Sequence, residues 1–427
     1  MIIYSGTRAE FTQDIFANAI EEKVLSRLRD RAGHSVSKAE VLSWKNSLQY
    51  MNNALLGADI PENAGVAIEY KIPLTSKRVD FLLSGEDHER RETVVIVELK
   101  QWEVVASSAK DAVVETFLGG GIREVLHPSY QAWTYASLIR DFSETVQDDD
   151  IKLEPCAYLH NCISEDVIRA DHYRYHTDLA PVFLKSDTER LQEFLSTHIR
   201  YGDKSKILYR IDNGKLKPSK SLADNLVSLL QGSREFELID DQKIVYETAL
   251  LAAANVKKKQ VLIVEGGPGT GKSVVAINLL VELTRRERLA HYVTRNAAPR
   301  AVYESKLTGS FTKSHITNLF KGSGAYTETP RNSMDVLIVD EAHRLNERSG
   351  LYQNLGENQI KEIIETAKCS IFFIDEDQRV TLKDIGEKQE IRDWAKRCGA
   401  EVTELTLASQ FRCNGSDGYL AWVDHVL

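Results

Sequence analysis

The chain has 427 residues, 42% of them hydrophobic and 27% charged, with a formal net charge of -9. That is enough chain for two or three cores of ~100–200 residues each, and its balance excludes a polycation, so any nucleic-acid site has to be a local basic cleft. Five scattered cysteines (156, 162, 369, 398 and 413), an N-terminal MIIYSGTRAEF without a secretory pattern, and no apolar run near the ~20 residues of a membrane span together lead us to expect a cytoplasmic protein.

Residues 9–30 and 37–56 carry helical periodicity, with Leu42, Trp44, Leu48, Met51 and Leu55 forming the apolar face of the second. AIEYKIPL, RVDFLL and TVVIVELK then read as three strands, followed by a helix over HPSYQAWTYASLIRDF, and EPCAYLHNC and PVFL add later strands. This order predicts an α/β domain over residues 1–202. Cys156, His160 and Cys162 have no second ligand pair at zinc-like spacing and read as ordinary core groups. DKSKILYRIDNGKLKPSKS has six Lys/Arg against Asp203 and Asp212, and residues 203–235 read as a basic linker, either solvated or touching phosphate. From residue 236 to 427, VLIVEGG, AHYVT, VLIVDE and SIFFIDE alternate with helical stretches. Alternation of this kind argues for a parallel sheet with crossover helices.

VLIVEGGPGTGKS is a complete phosphate loop between an apolar strand and a helix. In the loop Gly266, Gly267, Pro268, Gly269, Thr270 and Gly271 the glycines let successive backbone N–H groups turn toward phosphates, and the helix adds its positive dipole end. Lys272 is placed for the β and γ phosphates, and Ser273 for Mg²⁺. In MDVLIVDEAHR, Asp340 leaves a buried strand to hold that Mg²⁺, and Glu341 is placed to orient or deprotonate the attacking water. The implied substrate is ATP.

TVVIVELK ends in two charges. Side chains alternate across a strand, so Glu98 and Lys100 share a face, and Asp80, in the preceding strand, can meet them across the sheet. Two carboxylates at one place repel each other, which a divalent cation, Mg²⁺ or Mn²⁺, relieves by taking oxygen ligands. With Asp80 and Glu98 as metal ligands and Lys100 beside the scissile group, the arrangement asks for phosphodiester chemistry. Gln131 and Tyr135 lie at i and i+4 on the next helix.

Asp followed by Glu-x-Lys resembles the PD-(D/E)xK nucleases, and Gln131 with Tyr135 is similar to the QxxxY helix of their RecB-like branch. The resemblance implies a restriction-endonuclease-like α/β/α fold and a helical carboxylate ahead of the first strand. Glu40 is the choice there, although Ser37–Glu40 also fits a capping box; Glu21, Glu22 and Glu69 are its rivals. His127 either joins the pocket or caps the helix. FELIDDQKIVYETAL, SIFFIDEDQRV and LTLASQFRC resemble superfamily I helicase motifs. Gln242 would then read the adenine edge, Gln378 contact the γ-phosphate and Arg412 face the phosphates on a RecA-like P-loop NTPase domain. Motifs V and VI of a second RecA-like lobe do not follow, and we expect a piece of a longer protein.

Taken together, EYKIPLTSKRVDFLL, VIVELKQW, HPSYQAW, EGGPGTGKS, VDEAHR and SQFRCNGSD resemble bacterial proteins with a Schlafen group III-like DNA/RNA helicase domain. That resemblance implies an ATPase or helicase fused to an endo- or exonuclease, with DNA or RNA as partner and antiphage defence as its setting. A second copy of the chain or a defence-system protein would be the protein partner. The rival expectations are an ATP-switched nucleic-acid sensor with an inactive nuclease fold, and a signalling NTPase that meets no nucleic acid.

Overall fold

The computed structural model describes residues 2–32, 38–73, 75–216, 226–230, 237–255, 257–350, 354–379, 381 and 383–411. Two compact units divide it, Met1–Ser219 and Lys220–Gln410. The division falls inside the stretch read above as a linker.

In the first unit the strands are β1 (Ile2–Thr7), β2 (Gly65–Lys71), β3 (Arg78–Glu86), β4 (Glu92–Lys100), β5 (Val105–Ser107), β6 (Val113–Leu118), β7 (Gly121–Leu126), β8 (Lys152–Leu159) and β9 (Val182–Leu184). The main sheet runs β1-β2-β3-β4-β8-β9. Its first four strands pair antiparallel, whereas β4, β8 and β9 are parallel. A parallel neighbour needs a crossover, and the helix Pro128–Phe142 lies in the segment between β4 and β8.

The VVIV run of β4 is buried on both faces. Val95 and Val97 join Phe81 and Leu83 against the helices Lys38–Gly57 and Thr188–His198. Val94 and Ile96 join Leu82 against Tyr135, Ala136 and Ile139 of the helix Pro128–Phe142. Period-2 alternation thus feeds two cores, and the unit is a three-layer α/β/α stack.

Two segments differ from the sequence reading. Residues 203–216 fold onto the first unit: the Asp203 carboxylate accepts from the Ile207 N–H (3.1 and 3.0 Å), and the helix Ile207–Asn213 buries Ile207, Leu208 and Ile211. Arg210 donates to both carboxylate oxygens of Glu92 (2.6 and 2.8 Å). The lysines around this helix masked its apolar spacing. Between β4 and residue 128, β5, β6 and β7 form a small antiparallel sheet. Its tight turn is Gly119–Gly120, with φ of +59° and +86°, the geometry of a type I′ hairpin that glycine adopts without strain.

The second unit contains β10 (Gln260–Gly266), β11 (Ala290–Val293), β12 (Phe320–Lys321), β13 (Met334–Val339), β14 (Ala367–Ile374) and β15 (Glu401–Leu407) in the order β12-β11-β13-β14-β10-β15, all parallel. Leu262, Val264, Ile338 and Phe373 pack with the helices Asp241–Ala254 and Lys272–Arg285 on one face. On the other, Val261, Ile263, Val339 and Phe372 pack with Gln359–Thr366 and Lys388–Arg397. Helices on both faces leave a crevice at the carboxyl ends of the strands, where such sheets bind ligands.

Candidate active sites

The loop after β10 leads into the helix Lys272–Arg285 through Gly271, whose φ is +85°. A Cβ there would also stand 2.2 Å from Gln242 Nε2, so both backbone and space require glycine. Lys272 Nζ donates to the carbonyls of Gly266 (2.6 Å) and Gly267 (2.9 Å) and lies 3.6 Å from Asp375 Oδ2. Ser273 Oγ donates to Asp340 Oδ2 at 2.6 Å. The elements deliver these groups to one place because β10, β13 and β14 are parallel neighbours ending together.

Burial pushes the Asp340 carboxyl above its ordinary range, opposed by hydrogen bonds from Ser273 and Tyr292. Glu341 is shifted the other way, lowered first by its hydrogen bond to His343, at 3.1 Å, with Lys272 and Arg344 adding to the effect. Its backbone is in the left-handed region at φ +55°, an uncommon conformation for a glutamate. Ser273 and Asp340 are hard oxygen donors at one point, the donor set Mg²⁺ prefers.

Of the other expected nucleotide contacts, Gln242 is buried and donates to the Thr270 carbonyl at 3.1 Å, bracing the loop. Gln378 donates to Asp375 Oδ2 at 2.5 Å. Arg412 lies outside the described residues. Sequence reasoning missed Asp375, which the D-x-x-Q spacing to Gln378 could have flagged. It also missed Gln410, whose Nε2 donates to the Pro268 carbonyl at 2.6 Å, and His343.

In the first unit the pairs Phe81–Val97 and Leu82–Ile96 set the β3–β4 register, and continuing it by one residue puts Asp80 opposite Glu98. Opposed residues of an antiparallel pair share a face. The Asp80 carboxyl faces that of Glu98 across the sheet, and Asp80 Oδ2 accepts from the Leu99 N–H at 2.8 Å. Lys100 Nζ is 2.6 Å from Glu98 Oε1 and 5.6 Å from the centre of the Trp102 ring. Burial raises Asp80, while Lys100, the Leu99 N–H, Glu98 and Arg78 work to lower it. Two carboxyls brought to one place repel each other when both are ionised, and a divalent cation between them would relieve that. Among the described residues no group of three or more His, Cys, Asp and Glu is arranged to hold a metal. A cation at this pair would complete its shell with water, backbone or phosphate oxygens, as Mg²⁺ commonly does.

Gln131 Nε2 donates to the Tyr135 hydroxyl at 2.9 Å, and Tyr135 belongs to the core layer on the Leu82–Ile96 face. Glu40 lies in the helix Lys38–Gly57, its side chain outside the described residues. Glu21 is 3.6 Å from Lys45, and Glu22 is exposed. Glu69 is buried, accepts from Trp44 Nε1 at 2.8 Å, stands 3.1 Å from Arg78 Nε, and has φ +55°. The pairs Ile68–Phe81 and Tyr70–Val79 flank it, so it sits opposite Asp80. His127 caps the helix Pro128–Phe142: its Nδ1 accepts from the Ser129 N–H at 3.2 Å and its Nε2 meets the Ile168 carbonyl at 2.8 Å. Cys156 and Cys162 are buried free thiols, and His160 stacks on Tyr50 and meets Ser47 Oγ at 3.1 Å.

The second unit is a parallel α/β sheet with a phosphate loop, a DEAH strand end and an Asp–x–x–Gln strand end, which defines a P-loop NTPase domain. Residues 259–427 match the family model of the Schlafen group 3, DNA/RNA helicase domain, so this part of the chain carries a helicase-like P-loop ATPase domain. Among solved structures, Pif1 helicase from Candida albicans is similar at 15% identity over 45% of this chain and 44% of its own, with a TM-score of 0.29. DnaI is similar at 17% identity over 44% of this chain and 97% of its own (TM-score 0.24). The DnaC helicase loader is similar at 14% over 40% and 94% (TM-score 0.21). The chain thus spans under half the length of the Pif1 helicase it matches. No curated protein matches it.

Proposed function

We propose that the chain is a metal-dependent nuclease fused to an ATP-hydrolysing, superfamily I-type core that moves on or remodels DNA or RNA, with foreign nucleic acid as its target. The observation that carries the nuclease half is the cluster at the end of a buried strand: Asp80 opposite Glu98 in the β3–β4 register, and Glu98 held by Lys100 at 2.6 Å. Mg²⁺ or Mn²⁺ bound there would supply charge for the scissile phosphate and a more acidic water. Asp80 and Glu98 would hold the ion, and Lys100 would turn from Glu98 toward the phosphate or the attacking water. Gln131 and Tyr135 would brace the helix beside them.

In the ATPase half, Lys272 would exchange loop carbonyls for β and γ phosphate oxygens, and Ser273 and Asp340 would hold Mg²⁺. Glu341, kept ionised by His343 and Lys272, would take the proton of the attacking water. Labelled single- and double-stranded DNA and RNA incubated with the purified chain and Mg²⁺ or Mn²⁺ test the reading. Cleavage that disappears in Glu98→Ala supports it. Intact substrates alongside normal ATP binding would refute the nuclease half.

The existing Lys100–Glu98 ion pair favours one second reading, an ATP-switched sensor whose nuclease fold grips nucleic acid without cutting. Under that reading the Glu98→Ala, Lys100→Ala pair changes no catalytic rate.

A further inference from the structure

Asp340 receives one donor that the phosphate-loop pattern does not include. The Tyr292 hydroxyl, on β11, donates to Asp340 Oδ2 at 2.5 Å, on the same oxygen that Ser273 reaches at 2.6 Å. The Glu341 N–H takes Oδ1 at 3.0 Å. A carboxylate offers about four lone-pair positions, so these three donors leave room for about one more, the place of a metal-bound water. Tyr292 is 1% exposed and its ring lies 5.9 Å from that of Tyr303 in an edge-on contact. The one hydroxyl proton of Tyr292 is committed to Asp340. Tyr303 belongs to the helix Ala297–Leu307, so the ring contact packs a helix outside the phosphate loop against the partner of Asp340.

We propose that Tyr292 is a positioning residue of the ATPase metal site, fixing the Asp340 carboxylate in the orientation Mg²⁺ requires, with the Tyr303 ring packed against it. The inference rests on the ATPase reading above. Two hydroxyls on one oxygen prevent the carboxylate from rotating, and the other oxygen is pinned by backbone. Removing the Tyr292 hydroxyl leaves a buried carboxylate short of a donor and free to swing. Partners of this kind, standing behind metal ligands, typically change metal affinity by about 10- to 100-fold.

The test measures Mn²⁺ binding to the full chain by electron paramagnetic resonance, as the increment that a non-hydrolysable ATP analogue brings. Analogue binding in EDTA is measured beside it. Tyr292→Phe is expected to weaken the nucleotide-dependent Mn²⁺ site by about 10- to 100-fold while binding the analogue in EDTA as wild type does. Tyr303→Leu removes the ring packed against Tyr292 and is expected to shift Mn²⁺ affinity in the same direction by less. It carries the test alone if Tyr292→Phe does not fold. Tyr326→Phe, which removes a buried hydroxyl bonded to His291 instead, is expected to change neither quantity. Unchanged Mn²⁺ affinity in the folded tyrosine variants overturns the proposal, and so does equal loss of metal and nucleotide. A wild-type chain with no nucleotide-dependent Mn²⁺ site would instead defeat the ATPase reading itself.

Discussion

Lys272 spends its hydrogen bonds on the carbonyls of Gly266 and Gly267, and Asp375 stands 3.6 Å away, so its ammonium is already held where phosphate oxygens would arrive. Lys272→Ala is expected to lower phosphate release by at least about 100-fold, the scale of losing one preorganised charge. With Glu341 as the proposed base, Glu341→Gln keeps its shape without its basicity, so turnover should fall by ~10²–10⁴ while nucleotide binding persists. Quenched-flow phosphate release with parallel nucleotide titrations checks both. Asp80 illustrates the opposite tension, since its charge is disfavoured by burial in the metal-free protein. Asp80→Asn should therefore raise the metal-free melting temperature at pH 7, by about 2–4 °C for each kcal/mol gained, while abolishing metal-dependent cleavage. The placement of Glu98 and Lys100 on one face was legible because side chains alternate along a strand, and the phosphate loop because glycine at fixed spacing has few structural uses. Tyr292 was not, because a tyrosine in a strand looks like any core residue until its hydroxyl is located.

The helix Pro128–Phe142 depends on a buried imidazole at its N-terminus. Burial lowers His127 from 6.5 to about 4. The sign follows from linkage: below the ordinary histidine value the unfolded chain takes up a proton that the folded chain refuses until about pH 4. Stability is therefore present above ~6.5 and lost as pH falls toward 4, by on the order of 3 kcal/mol at most. His127→Asn retains a good capping side chain but gives up the bond to Ile168, so it should be less stable at pH 7 and show a shallower acid slope. Urea unfolding at pH 7, 6 and 5 measures this, and parallel slopes for the two proteins would contradict it. At this scale the long strands declared themselves, whereas β5–β7 and the helix Ile207–Asn213 did not. A Gly–Gly turn at 119–120 was a usable hairpin signal. Ile207, Leu208 and Ile211, by contrast, were hidden among lysines that the fold turns outward.

Under the proposed function each unit holds its own phosphate chemistry on its own sheet, and the two sets of residues do not overlap. The Glu98→Ala, Lys100→Ala chain should then lose cleavage yet keep ATP turnover within about twofold, since additivity holds for sites without shared partners. It should also keep nucleic-acid binding that weakens steeply with salt, the mark of phosphate contacts. The two-part organisation was readable because a βα alternation restarts after residue 236, while the division itself sits at 219–220. Glu69 shows why a site is harder to read than a fold. Its place opposite Asp80 depends on strand register, and its left-handed backbone is invisible in the sequence.

The central claim is that Asp80 and Glu98 share one divalent ion. Anomalous diffraction from crystals soaked in Mn²⁺ measures this directly. A peak about 2.0–2.6 Å from a carboxylate oxygen of each residue is the predicted result, and a map with no manganese between them, at a concentration that fills the Ser273–Asp340 site, would contradict it.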